Sequence, residues 1–176
     1  MRRPDSLSLE SVQNEPVRFA CELPVGAAAI DREPLVALAP LELTGEVSRV
    51  EGGYALTARL VYGGELECSR CLAPYPFRED EAFSLVLYPR ARQTAAEVEL
   101  ERGDLDVLYY DEPELALRPI AEERVQVGLP MKPLCRADCK GLCAGCGNDL
   151  NQGSCGCATE TIDPRWEALK ALKEKV

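Results

Sequence analysis

A chain of 176 residues with 46% hydrophobic residues has enough material for one sizeable core and a small appended module. Its formal net charge of −10 means that it cannot attract nucleic acid through its overall field, so any RNA contact has to be local. Residues 1–117 hold 11 arginines against 22 acidic residues, net −11, whereas residues 118–176 hold 9 Lys plus Arg against 8 acidic residues, net +1, and all five lysines. No run is long and apolar enough for a membrane-spanning helix, and none follows Arg2-Arg3 as in a signal peptide, so a cytoplasmic protein is expected.

Residues 1–15 are polar and aperiodic, which predicts a flexible arm. Residues 16–130 read as a sheet domain. Val17, Phe19, Cys21 and Leu23 alternate with polar or small residues, the period of a half-buried strand with Cys21 as a small buried hydrophobe. Alternation resumes at Leu41, turns at Gly52-Gly53 and continues from Tyr54 to Tyr62, a hairpin signal; Gly63-Gly64 marks a further bend or bulge. Cys68-Ser69-Arg70-Cys71 then precedes the proline-broken Pro74-Tyr75-Pro76-Phe77, and a strand returns from Glu81 to Tyr88. Arg102-Gly103-Asp104 reads as a tight turn before Tyr109-Tyr110, a strand end.

Periodicity then changes. Leu117, Ile120, Ala121 and Val125 share one face of a helix that has Pro119 in its first turn and is ended by Gly128 and Pro130. The expected fold is α+β: an antiparallel meander or partial barrel covered by a helix, followed over residues 131–176 by a Cys-rich zinc module and a terminal helix. Asp163 and Pro164 open that last helix as N-cap and first helical residue, and Trp166, Leu169 and Leu172 form its stripe.

Six of the nine cysteines fall in the module: Cys135, Cys139, Cys143, Cys146, Cys155 and Cys157, spaced C-x3-C-x3-C-x2-C-x8-C-x-C. Cys143 and Cys146 followed by Gly147 have the form of a metal knuckle, in which two thiolates converge on one ion. Competing readings are a disulfide framework, which needs an oxidising compartment, a redox C-x-x-C, which belongs at a helix start, and an iron–sulfur cluster; zinc is expected. With no histidine in the chain, the site is all-thiolate or borrows a carboxylate from Asp138 or Asp149. Six thiols are two more than one ion needs. Either two are spare, or Cys68 and Cys71 fold over to make a second site, although an isolated C-x2-C reads more simply as two thiols at a hairpin tip that bind nothing.

An all-cysteine site has no open position for water and is structural. Without histidine, a phosphate loop or a nucleophile motif, an enzyme is not expected. The candidate RNA contacts are Lys132, Arg136, Lys140, Arg165, Lys170 and Lys173, the cations around the cysteines and on the last helix.

Several stretches together resemble the YceD-like family of large ribosomal RNA subunit accumulation proteins: Cys68-Ser69-Arg70-Cys71-Leu72, Leu129-Pro130, Lys132-Pro133-Leu134-Cys135, Asp138-Cys139-Lys140-Gly141-Leu142-Cys143, Cys146-Gly147-Asn148-Asp149-Leu150-Asn151, Cys155, Cys157 and Asp163-Pro164-Arg165. Ala144 stands where the family has proline. The resemblance implies a part in accumulation of the large-subunit (23S) ribosomal RNA and carries no catalytic residues. The expected partner is that RNA or its precursor, or a ribosomal or processing protein, with no membrane and no small-molecule substrate. The alternative is an acidic protein-binding adaptor with a structural zinc site and no RNA contact.

Overall fold

Strand alternation in the first half of the chain builds a sheet whose apolar side chains share one face. In the computed structural model, which describes residues 5–90 and 106–157, the strands are β1 (Ser6–Ser8), β2 (Val17–Leu23), β3 (Leu35–Leu38), β4 (Leu41–Val50), β5 (Gly53–Glu67), β6 (Pro74–Pro89), β7 (Val107–Tyr110) and β8 (Glu114–Ala116), followed by helix α1 (Leu117–Gly128). The main sheet runs β2-β4-β5-β6-β7, with β3 beside the second half of β5. Registers are those of alternating faces: Cys21 lies opposite Leu43, Leu43 opposite Leu60, and Leu56 opposite Leu85. Leu23, Leu41, Leu43, Val47, Leu56, Leu60 and Leu87 are essentially inaccessible and form the core with Cys21, Tyr62 and Phe83. Each such aliphatic side chain contributes roughly 1.5–3 kcal/mol by leaving water.

Helix α1 covers that core with the face its period predicts, burying Leu117, Ile120, Ala121 and Val125. Arg124 on this helix pairs with Glu81 on β6 and lies over the Phe83 ring, 5.0 Å from its centroid, an ion pair joined to a cation–π contact. Gly128 ends the helix against Tyr62; a β-carbon there would lie 2.3 Å from the phenol oxygen. The chain then leaves toward the cysteines through Leu129, whose carbonyl accepts a hydrogen bond from Arg32.

Several expectations differ from the structure. Leu7, Leu9 and Val12 in the expected arm are buried, and β1 pairs antiparallel with β8, so residues 6–12 belong to the body. Three apolar residues among polar ones show no period, and only their partners reveal the burial. The sheet is mixed rather than wholly antiparallel, because β7 runs parallel to β6 from Val86↔Val107 to Pro89↔Tyr110. The sheet is open, which is compatible with the expected meander or partial barrel: among the described strands, the edges β2 and β7 do not pair with each other. Finally, Pro74 and Pro76 do not break β6. They sit at alternate positions opposite Glu67 and Glu65, which turns both ring nitrogens to the edge that β7 does not reach, where no amide donor is needed.

The bend expected at Gly63-Gly64 is a close approach of backbones. β5 runs straight through, and β3 packs so near that a β-carbon on Gly64 would lie 2.0 Å from the Ala37 carbonyl oxygen. The long β5–β6 hairpin is thereby held on both flanks of β5, and its tip carries Cys68 and Cys71 outward. The expected turn at Arg102-Gly103-Asp104 and the terminal helix from Asp163, with Arg165, Lys170 and Lys173, lie outside the described residues.

Candidate metal centres

Eight of the nine cysteines gather into two groups of four: Cys68, Cys71, Cys135 and Cys139 in one, and Cys143, Cys146, Cys155 and Cys157 in the other. Within each group the sulfurs all lie within 4.8 Å of one another, and none of these cysteines is in a disulfide. The pair at the hairpin tip is therefore not isolated, and the six clustered cysteines do not act as one set. Two of them turn back to the sheet and four stay together. Cys21 alone is apart, buried in the core with its thiol 3.7 Å from the Leu43 carbonyl oxygen.

Both groups start from the same local structure. In Cys68-Ser69-Arg70-Cys71-Leu72, the Arg70 amide donates to the Cys68 sulfur at 3.5 Å and the Leu72 amide donates to the Cys68 carbonyl at 2.9 Å. In Cys143-Ala144-Gly145-Cys146-Gly147, the Gly145 amide donates to the Cys143 sulfur at 3.4 Å and the Gly147 amide to the Cys143 carbonyl at 2.8 Å. The fifth residue of each turn is left-handed, with φ of 58° at Leu72 and 74° at Gly147. Glycine adopts that conformation freely, whereas a branched side chain there costs roughly 1–2 kcal/mol. Because Leu72 is 54% exposed and loses little packing, Leu72→Gly is expected to preserve stability or raise it by up to about 1 kcal/mol in urea titration. A loss larger than that would show that Leu72 packs in a way its exposure does not suggest.

The first site ties three parts of the chain together. Ser69 donates its amide to the Pro133 carbonyl at 2.8 Å, which draws the segment after α1 onto the hairpin tip. The Arg70 guanidinium donates to the Cys139 carbonyl at 2.7 Å, and the Arg70 carbonyl accepts the Leu142 amide at 3.2 Å. Gly141, at φ 74°, fits against that same Arg70 carbonyl. Tyr75, Leu134 and Leu142 pack around the sulfurs, leaving Cys68, Cys71 and Cys139 buried and Cys135 half-buried. The second site is built within its own loop and is more open, with Cys146 and Cys157 exposed. The Cys143 amide donates to the Asn148 carbonyl at 2.8 Å and the Leu150 amide to the Gly141 carbonyl at 2.9 Å, which closes the loop.

The donor set fits a tetrahedral thiolate-bound ion. Cys68 to Cys139 and Cys71 to Cys135 are each 3.8 Å between sulfurs. A tetrahedron with metal–sulfur bonds of about 2.3 Å has edges of about 3.8 Å, whereas a disulfide brings its sulfurs to about 2.05 Å. The thiols also compete for protons. Burial opposes ionisation of Cys68, but the amides of Cys135, Cys71 and Arg70 outweigh it and pull that thiol down to about 6. Burial, reinforced by the thiols of Cys68, Cys139 and Cys71, pushes Cys135 up to about 12. In the second site the Cys155 thiol and the amides of Cys146 and Gly145 bring Cys143 down to about 6, and the neighbouring Cys146 and Cys143 thiols push Cys157 up to about 12. Four sulfurs this close ionise together only when a cation balances them, and a bound metal does so by deprotonating its ligands outright.

Of the other expected site residues, Lys132 and Lys140 are exposed beside the first site. Arg136 is engaged, donating to the Asn151 side-chain oxygen at 2.7 Å and lying 3.5 Å from an Asp138 carboxylate oxygen. Asp138 and Asp149 are absent from both sulfur groups. Asp149 instead accepts hydrogen bonds from the Asn151 amide and from the Asn151 and Gln152 side chains, which together hold its carboxyl below the usual range. Sequence reasoning missed the roles of Arg70 and Asn151. The carbonyls that the Arg70 guanidinium reaches are 67 or more residues away, and the Asn151 side-chain amide reaches Cys139 of the other site, so no local spacing signals either contact.

No solved structure matches the chain. It is similar to uncharacterized proteins of Mycobacterium bovis and Mycobacterium tuberculosis, each 33% identical over 172 residues that cover 96% of this chain and 75% of the relative. An uncharacterized protein of Mycobacterium leprae is 30% identical over 132 residues, 74% of this chain and 58% of that protein. The family model described as "Large ribosomal RNA subunit accumulation protein YceD" matches residues 56–173, a span that takes in all but the first three residues of the β5–β6 hairpin, α1 and all eight clustered cysteines. With the hairpin-tip pair and the loop cysteines inside one family match, the chain belongs to the YceD family.

Proposed function

We propose that this protein is a non-catalytic ribosome-biogenesis factor that supports accumulation of large-subunit ribosomal RNA, that zinc at the first four-cysteine site fixes its C-terminal module to the sheet, and that zinc at the second closes the module's own loop. The observation that carries this reading is the pair of complete thiol sets on a chain of the YceD family. Four thiolates fill a zinc ion's coordination, so the ion serves as a fastener and has no position for a substrate or a reactive water. Bound zinc would supply charge balance and crosslinking. The chain's own residues then orient the surface: the first site holds the 133–142 segment against the hairpin tip and presents Lys132 and Lys140 beside it.

Those two lysines and Arg136 are the phosphate contacts within the described residues. Replacing Lys132, Arg136 and Lys140 together with alanine is expected to weaken binding to large-subunit precursor RNA and to flatten its salt dependence by up to about three in the log–log slope, which a filter-binding titration at several salt concentrations would read. Equal affinity and slope in the variant would remove direct RNA contact from the proposal.

A second reading has its own support. Arg136 is already occupied by Asn151 and Asp138, and the chain as a whole carries −10. An acidic adaptor that engages a basic ribosomal or processing protein fits that charge, and its partner would stay bound in a pull-down after nuclease treatment.

A further inference from the structure

We propose that Asn151 is a positioning residue that couples the two four-cysteine sites, by carrying a contact from the loop of the second site onto a thiol of the first. The inference rests on the reading that both sites hold metal. Asn151 lies between Cys146 and Cys155, inside the loop the second site closes, yet its side chain reaches back. Its amide nitrogen donates to the Cys139 sulfur at 3.4 Å, and Cys139 belongs to the first site.

The orientation of that amide is fixed by its neighbours. The side-chain oxygen of Asn151 accepts from the Arg136 guanidinium at 2.7 Å and from the Lys140 backbone amide at 2.8 Å, two groups that can only donate. The side-chain nitrogen also donates to an Asp149 carboxylate oxygen at 2.7 Å, which can only accept. A flipped amide would lose all three bonds, so the nitrogen faces the sulfur. Asp149 further accepts the Asn151 backbone amide at 2.9 Å, which sets where the residue sits.

The contact is placed to matter at the metal. An N–H donated to a thiolate stabilises its ionised form and orients it, and removing an outer partner of this kind typically costs ten- to a hundredfold in metal affinity. The loop that carries Asn151 is closed by the bonds from Leu150 to Gly141 and from Cys143 to Asn148. Filling the second site closes that loop and so presents the donor to Cys139. Because coupling between two binding equilibria is reciprocal, filling the first site must favour the second by the same factor.

The test uses the full chain, stripped and reloaded with zinc(II) or cobalt(II). Ions per chain come from elemental analysis, site geometry from the cobalt–thiolate spectrum, and release from the rate at which a chromogenic chelator takes zinc. A Cys68→Ser, Cys71→Ser chain assigns the release phase of the second site, and Cys143→Ser, Cys146→Ser that of the first. Asn151→Ala is expected to keep the parent's ion count and tetrahedral cobalt spectrum while releasing zinc from the first site about tenfold faster. In the chain lacking Cys143 and Cys146, release from the first site is already faster, and Asn151→Ala adds nothing to it. Asn151→Asp, which keeps the acceptor for Arg136 and Lys140 but loses the N–H on Cys139, releases at least as fast as the alanine variant.

Release within about twofold of the parent in both Asn151 variants overturns the inference, as do two effects that simply multiply. So does a lowered ion count in Asn151→Ala beside normal behaviour in Asn151→Asp, which would make the residue merely structural. A parent chain that binds no metal overturns this inference and the zinc reading together. Two bound ions with a silent Asn151 overturn this inference alone.

Discussion

Replacing Cys68 and Cys71 together with serine is expected to lower the zinc content from about two ions per chain to about one and to release the segment after α1 from the hairpin tip. Serine hydroxyls do not ionise at neutral pH and cannot replace thiolates. Without the ion, the remaining ties across the tip are the packing of Tyr75, Leu134 and Leu142 and a few hydrogen bonds, among them Ser69 to Pro133, Arg70 to Cys139 and Leu142 to Arg70, each contributing roughly 0.5–3 kcal/mol. Structural zinc in small domains is bound with roughly 10 kcal/mol or more of apparent free energy, so its loss outweighs them. The measurement is elemental analysis beside hydrogen exchange of residues 133–142, where amides such as Leu142 should lose protection while β4 and β5 keep theirs. Two ions retained by the variant would show that the hairpin-tip pair is not a ligand pair.

Gly64→Ala is expected to destabilise the sheet by about 1–3 kcal/mol in urea titration, a large effect for one methyl group. The new carbon would lie 2.0 Å from the Ala37 carbonyl oxygen, 2.8 Å from its carbon and 3.0 Å from the Leu38 α-carbon, all backbone atoms that no rotamer change can move aside. Relief requires β3 to move away from β5. That movement strains the pairing of Leu38 with Gly64 and the bonds that flank it, from Ala39 to Gly63 and from Glu67 to Pro34. A variant with the parent's midpoint would show that β3 yields without cost.

Elements with a local period were legible. The strand from Val17 to Leu23, the turn at Gly52-Gly53 and the buried face of α1 follow from alternation, glycine and the 3.6-residue repeat, because the residues that decide them are neighbours in sequence. β3, with only Leu35–Leu38, is too short to carry a period, and its place was set by a partner nearly 30 residues on. β6 shows the reverse case. Pro74 and Pro76 suggested a break, and it is the uncovered edge of the hairpin that makes them harmless.

The cysteines divide in the same way. Sequence by itself determined the chemistry on offer: nine thiols, no histidine and two C-x2-C turns, and hence ligands drawn from thiols or a carboxylate and never from imidazole. It also determined the knuckle geometry, since the amide-to-sulfur bonds of Arg70 and Gly145 span only two residues. Only the tertiary structure decided the partition, joining Cys68 and Cys71 to Cys135 and Cys139 across more than 60 positions and leaving Cys143, Cys146, Cys155 and Cys157 to one another. Ligand type is a property of each residue and survives in the sequence, whereas ligand grouping depends on where a long hairpin ends in space, which the packing of β3, β4 and α1 around β5 and β6 sets.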